Sequence, residues 1–320
     1  MNKLNLLLSS ILLHLPLLAS ADYTLIWADE FNYTGLPNPE YWSYDVGGDG
    51  WGNGEFQYYT DARLENVRVE DGRLIIEARK EDYEGRLYTS ARILTENKKH
   101  FTYGKVEARI KLPEGVGVWP AFWMLGADFS TVGWPDCGEI DIMEFVGKDP
   151  NNIHGTIHGP FYSAGGGISG SYDFGSPATD DFHVFKIVWE ENLIRWYVDD
   201  ILYHSAGPDD VGGSPRSGPY EWVFDHPFFI ILNVAIGGNW GGPVSPDMVF
   251  PVQMEVDYVR VYSDLGFLSG YPVNGDWVDT GDYLGWVNIA NYPWLYFDST
   301  QSYAYLPALE AVDNWIYMPK

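Results

Sequence analysis

The chain predicts an all-β sandwich, and three observations carry that prediction. Short runs such as Leu74-Ile75-Ile76-Glu77-Ala78 and Phe185-Lys186-Ile187-Val188-Trp189 recur along it, each bounded by turn residues. The 35 glycines and 20 prolines among 320 residues are scattered throughout, which argues against long helices. In Gly138-Glu139-Ile140-Asp141-Ile142-Met143-Glu144, isoleucines alternate with acids, the period-two pattern of a half-buried strand.

In chain order, residues 1–21 read as a secretory signal and not as part of the fold. Lys3 opens it, Leu6 to Leu18 form a mostly apolar run broken by His14 and Pro16, and Ala19-Ser20-Ala21 supplies a small-residue cleavage pattern. The run is shorter than the roughly 20 residues a bilayer span needs. A secreted or extracellular protein is expected. The remaining length suits one large domain with a small appendage.

Charge and cysteine content narrow the partners. A formal net charge of −26 disfavours nucleic acid and anionic polysaccharides, so a neutral substrate fits better. The single cysteine, Cys137, forms no intrachain disulfide and reads as a small buried residue beside the acidic strand. A monomer is expected.

Residues 22–263 read as one unit. It opens with Trp27-Ala28-Asp29-Glu30-Phe31 and closes with the strand Met254 to Tyr262, two segments expected to pair as first and last strands. Glu30 and Asp257 would then be close enough to share a calcium ion, or they are surface carboxylates beside Arg260. The loop Gly50-Trp51-Gly52-Asn53-Gly54-Glu55-Phe56-Gln57 is glycine-rich yet loaded with indole and amide groups, which suit a neutral hydroxylated ligand. Tyr88 to Ile93 and Tyr103 to Ile110 read as two further strands, with Arg92 either a ligand contact or a cross-strand ion-pair partner.

The middle of the unit carries the chemistry. In Val118-Trp119-Pro120-Ala121-Phe122-Trp123, an extended strand puts Trp119, Ala121 and Trp123 on one face, and Trp134 follows before the acidic strand. Pyranose rings present flat C–H faces to indoles while carboxylates do acid–base work, and some of these tryptophans are expected to be structural. On a regular strand Glu139 and Asp141 share a face but Glu144 points away. A β-bulge between Asp141 and Glu144 returns it to the carboxylate face. His154-Gly155-Thr156-Ile157-His158 is another period-two stretch, with His158 a candidate partner for a carboxylate or a substrate hydroxyl. Phe228 to Ile236 is apolar enough for a strand covered on both faces, and it runs into a loop carrying Trp240.

Residues 264–272 shift toward Ser, Leu, Gly and Pro and read as a linker. In 273–320, Asp276-Trp277-Val278, Pro293-Trp294-Leu295-Tyr296 and Asn314-Trp315-Ile316-Tyr317 begin three similar phrases, expected to form two or three small hairpins. A surface- or glycan-attachment module and a structural cap both fit them.

Together these motifs resemble family 16 glycoside hydrolases, and within them the laminarinases, which are endo-1,3-β-glucanases. The resemblance rests on Glu139-Ile-Asp141-Ile-Met-Glu144 together with Trp119-Pro-Ala-Phe-Trp123-Met-Leu, Gly52-Asn53-Gly-Glu55-Phe-Gln57-Tyr-Tyr, Thr89-Ser-Ala-Arg92, Gly155-Thr-Ile-His158-Gly-Pro and Asp257-Tyr-Val-Arg-Val-Tyr, in the family's order. It implies a β-jelly-roll of two antiparallel sheets with a concave cleft for a neutral β-glucan. It further implies Glu139 as nucleophile, Asp141 as assisting carboxylate and Glu144 as general acid/base. Asn53, Arg92, Trp119, Trp123, Trp134 and His158 match cleft positions. Glu30, Gly72 through its carbonyl and Asp257 match a structural Ca2+ site, and the chemistry itself needs no cofactor. The residues after 264 lie outside the pattern.

Overall fold

A computed structural model describes residues 23–212 and 221–264, together with five short strands between 273 and 305. The expected signal at 1–21, nearly all of the 264–272 linker and the phrase at Asn314 lie outside the described residues.

The strands, in chain order, are β1 (Thr24–Asp29), β2 (Ser43–Tyr44), β3 (Gln57–Tyr59), β4 (Val67–Glu70), β5 (Arg73–Tyr83) and β6 (Arg86–Ser90). Next come β7 (Arg92–Leu94), β8 (Gly104–Lys111), β9 (Val118–Gly126), β10 (Glu139–Phe145), β11 (Asn152–His158) and β12 (Ile168–Asp173). The unit ends with β13 (Phe182–Glu190), β14 (Leu193–Val198), β15 (Ile201–Ala206), β16 (Phe228–Ile236) and β17 (Val252–Ser263). Among the described residues, helix is confined to single turns such as Phe129–Val132 and Gly238–Gly241.

Two sheets stack. The larger has ten strands, running β15-β14-β13-β8-β17-β5-β6-β3, with β1 also on β17 and β4 also on β5. The smaller has seven, in the order β12-β11-β10-β9-β16-β7-β2. First and last strands pair as expected, Asp29 opposite Val259. Among the described residues, all strand pairings are antiparallel except β3 with β6.

Alternation explains the core. Val106, Ala108 and Ile110 of β8 and Phe185, Ile187 and Trp189 of β13 face Phe122 and Met124 of β9, Ile140 and Phe145 of β10, and Ile230, Leu232 and Val234 of β16. Each buried Val, Leu, Ile, Met or Phe among them contributes about 1.5–3 kcal/mol on leaving water. Every residue of β16 is buried, because its outer face is covered as well. Leu94, Leu125, Cys137, Phe229 and Ile231 form one apolar cluster there, and Trp119, Val146 and Ala235 form another.

One expectation is corrected. Tyr88 to Ile93 is not a single strand: β6 belongs to the larger sheet and β7 to the smaller. The chain changes sheets at Ala91, which is fully buried where it crosses. A small side chain is what that crossing tolerates.

In the tail, Val273–Asn274, Trp277–Asp279, Trp286–Asn291, Trp294–Phe297 and Ser302–Tyr305 make a separate five-stranded antiparallel meander. Trp277 and Tyr296 pack edge-on within it.

Candidate active site

Strand β10 carries the bulge that the acid spacing requires. Against β11, Asp141 pairs with Thr156 but Glu144 pairs with His154, so three steps on β10 match two on its neighbour. Against β9 the slip falls between Asp141 and Met143. Ile142 and Met143 are therefore both buried in the inter-sheet core, while Glu139, Asp141 and Glu144 share the outer face. A bulge frees backbone groups from the ladder. Here the Asp141 carbonyl accepts a 2.7 Å hydrogen bond from the indole N–H of Trp196, which reaches across from β14 in the opposite sheet. Gly155 makes room for it: a Cβ there would stand 2.3 Å from Trp196 Cδ1.

The three carboxyls are held close and mostly out of water. Asp141 is 2 % exposed, and the Glu139 side chain 17 %. Burial, then repulsion from Asp141, pushes Glu139 up to about 8, and burial pushes Asp141 up to about 7. Glu144 is pushed well above the usual carboxylate range by burial and by the charges of Asp141 and Glu139. Opposing this, the Trp134 indole N–H donates to Glu139 Oε2 at 2.6 Å, and the Trp119 indole N–H donates to Glu144 Oε1 at 3.0 Å. His158 Nε2 lies 3.2 Å from Asp141 Oδ2 and 3.8 Å from Glu139 Oε1. The expected tryptophans thus include direct partners of both glutamates.

On the β9–β16–β7 side, Trp123 donates its indole N–H to Asn233 Oδ1 at 2.8 Å. The Arg92 guanidinium lies over its ring, 4.7 Å from the ring centre, and over the Trp51 ring at 5.0 Å. Arg92 also pairs with Asp45 at 2.8 Å. Of its two expected roles the ion pair is present, and it fixes two indoles in place. Asn53 is exposed on the glycine-rich loop and donates to Glu55 Oε1 at 3.3 Å. Glu55 also accepts from Gln57 and Tyr59, and Tyr59 accepts from Asn233, so one buried chain of hydrogen bonds runs from Trp123 to Asn53. Burial raises the Glu55 carboxyl above its usual range.

Beyond Glu144, Trp119 meets Trp240 edge-on at 5.5 Å, and Trp240 meets His154 edge-on at 5.0 Å. Lys148 holds the Trp240 carbonyl from the next loop. Sequence reasoning placed Trp51 in a ligand-binding loop but assigned no individual role to Glu55, Gln57, Asn233, His154 or Trp196. The motif Glu55-Phe-Gln57 and the period-two spacing of His154 with His158 were the available signals. Cys137 is fully buried, its thiol pushed up to about 12 by burial, and it takes no part.

The residues considered for calcium sit at the other sheet. Both Glu30 oxygens accept from Arg260, at 2.6 and 2.8 Å, and Asp257 Oδ2 accepts from Arg109 at 3.0 Å. Gly72 turns the chain between β4 and β5 at φ +73°. With both carboxylates committed to guanidinium groups, this donor set does not fit a Ca2+ ion unless both arginines let go.

A two-sheet sandwich presenting three crowded carboxyls among indoles on one sheet face has the architecture of a glycoside hydrolase. Residues 54–260 match Glycosyl hydrolases family 16, and the chain belongs to that family. It is 53% identical over 249 residues to a beta-glucanase of Rhodothermus marinus, covering 75% of this chain and 85% of the relative. The crystallised laminarinase of R. marinus superposes with a TM-score of 0.70 at 51% identity, covering 75% of this chain and 97% of that one. The endo-beta-1,3-glucanase of Pyrococcus furiosus gives the same TM-score and identity, covering 75% of this chain and 94% of that one.

Proposed function

We propose that this chain hydrolyses internal β-1,3-glucosidic bonds of a neutral glucan such as laminarin, with retention of configuration. The observation that carries the reading is the bulge, which sets Glu139 and Glu144 on one face with Asp141 between them. Retention needs two carboxyls about 5–5.5 Å apart, one to attack the anomeric carbon and one to protonate the leaving oxygen.

The surroundings assign the roles. Glu144 faces the charges of both other acids, so it is the group that keeps its proton. Glu139 and Asp141 interact directly, and the hydrogen bond between them raises Glu139 and lowers Asp141. Glu139, at about 8, holds a proton more tightly than Asp141, at about 7, so attack requires Glu139 to be ionised first, and the indole donor from Trp134 favours that charge. Glu139 is then an oriented carboxylate aimed at the sugar. Glu144 gives its proton to the departing oxygen, and the same group then draws a proton from the water that releases the glycosyl-enzyme. No cofactor enters these steps.

The indoles of Trp123, Trp51 and Trp134 supply stacking faces, and Asn53 supplies an exposed amide for sugar hydroxyls. The tail after Ser263 is a second element of the proposal, an attachment module of an exported enzyme. A related reading is mixed-linkage β-1,3-1,4-glucanase, because the name beta-glucanase borne by the R. marinus relative leaves the linkage open. Retention of all three carboxyls disfavours a protein that only binds glucan. Reducing-sugar assays on laminarin, lichenan and agarose side by side test the choice. Laminarin is expected to be cleaved fastest, and activity on agarose alone would refute it.

A further inference from the structure

Glu139 and Asp141 on β10 and His158 on β11 each offer a ligand atom, and these atoms all lie within 4.8 Å of one another. A tetrahedral zinc ion bound at about 2.0–2.1 Å spaces its ligands about 3.3 Å apart. His158 Nε2 already stands 3.2 Å from Asp141 Oδ2 and 3.8 Å from Glu139 Oε1. Two carboxylate oxygens and one imidazole are a ligand set zinc takes readily, whereas calcium prefers six to eight oxygens.

Two independent features favour occupation. Asp141 is 2 % exposed, yet its Oδ2, one of the atoms facing the site, makes no hydrogen bond. Buried polar atoms left in that state seek a partner. The charge is also unbalanced, since no lysine or arginine pairs with any of the three among the described residues. A divalent cation would meet that deficit.

We propose that Glu139, Asp141 and His158 bind one zinc ion, which inhibits the enzyme by occupying the carboxylate that attacks the sugar. The ion here blocks the reaction and takes no part in it. Its inhibitory half rests on the reading of Glu139 as nucleophile, and the binding half does not.

Cobalt(II) is the probe, because tetrahedral Co2+ gives intense visible bands. Titrating the full chain should give such bands at one ion per chain, displaced by Zn2+. His158→Gln and Asp141→Asn should each weaken cobalt affinity by about ten-fold or more. Should His158→Gln fail to fold, Asp141→Asn keeps the side-chain shape and gives the same readout. Bands of unchanged affinity in Asp141→Asn would overturn the site and move the ion elsewhere, for instance to His226, which lies 3.2 Å from Asp128 and 3.7 Å from Asp225. Zinc should also abolish laminarin hydrolysis at the occupancy that the bands report. Full activity with the ion bound would overturn the inhibitory half and leave the binding half standing.

Discussion

Glu139 and Glu144 do opposite work with the same side chain, and what separates them is who stands beside each. Trp134 and His158 attend Glu139, while Glu144 has the Trp119 indole and the repulsion of two acids. Asp141 raises the proton affinity of both. Replacing it with asparagine removes that repulsion and adds an amide donor, so both groups should lose their protons at lower pH. The acid limb of the pH–rate profile falls where Glu139 gains its proton, and the alkaline limb where Glu144 loses its own. Asp141→Asn should therefore lower kcat and move both limbs toward acid, by about one unit or more. A lower plateau with unmoved limbs would show that Asp141 is only structural.

At this scale the carboxyls were legible in sequence because they are local: six residues hold all three, and their spacing demanded the bulge. The Trp123–Asn233–Tyr59–Glu55 chain was not. Asn233 and Tyr59 are 174 residues apart, and only the fold brings them to 3.1 Å.

At the level of elements, a bulged strand needs something to hold the bulge, and β14 supplies it. Trp196 donates to the Asp141 carbonyl, and Gly155 on β11 leaves it space. Trp196→Phe keeps an aromatic ring and leaves a buried carbonyl unpaired, which costs about 1–3 kcal/mol. The melting midpoint should fall by roughly 2–4 °C for each of those kcal/mol. kcat should fall more than KM rises, since the displaced strand carries both glutamates. A lower midpoint with unchanged kcat would free the bulge from dependence on Trp196.

Strand identity was largely readable from period two, and for the all-buried β16 from its continuous apolar run. The sheet change at Ala91 was not, because Tyr88 to Ile93 keeps a strand-like composition straight through it. Nor does composition reveal that β3 and β6 run parallel: that pairing follows from how the chain crosses, which local propensity does not encode.

For the whole molecule, the site needs both sheets, one to carry the acids and one to pack beneath them. It does not need the tail by any contact described above. The β17 strand ends at Ser263, the family match ends at 260, and the strands beyond 273 pair only with one another among the described residues. A chain ending at residue 263 should keep the melting midpoint and laminarin kcat of the full protein while losing attachment to cells or insoluble glucan. Loss of stability or activity would instead make the tail a structural cap.

The central claim is that Glu139 attacks the sugar and Glu144 first acts as acid. The anomer first released from a β-1,3-glucan tests it most directly, followed by proton NMR before mutarotation sets in. Retention predicts the β-anomer. First appearance of the α-anomer would mean that water, and not Glu139, attacks the anomeric carbon.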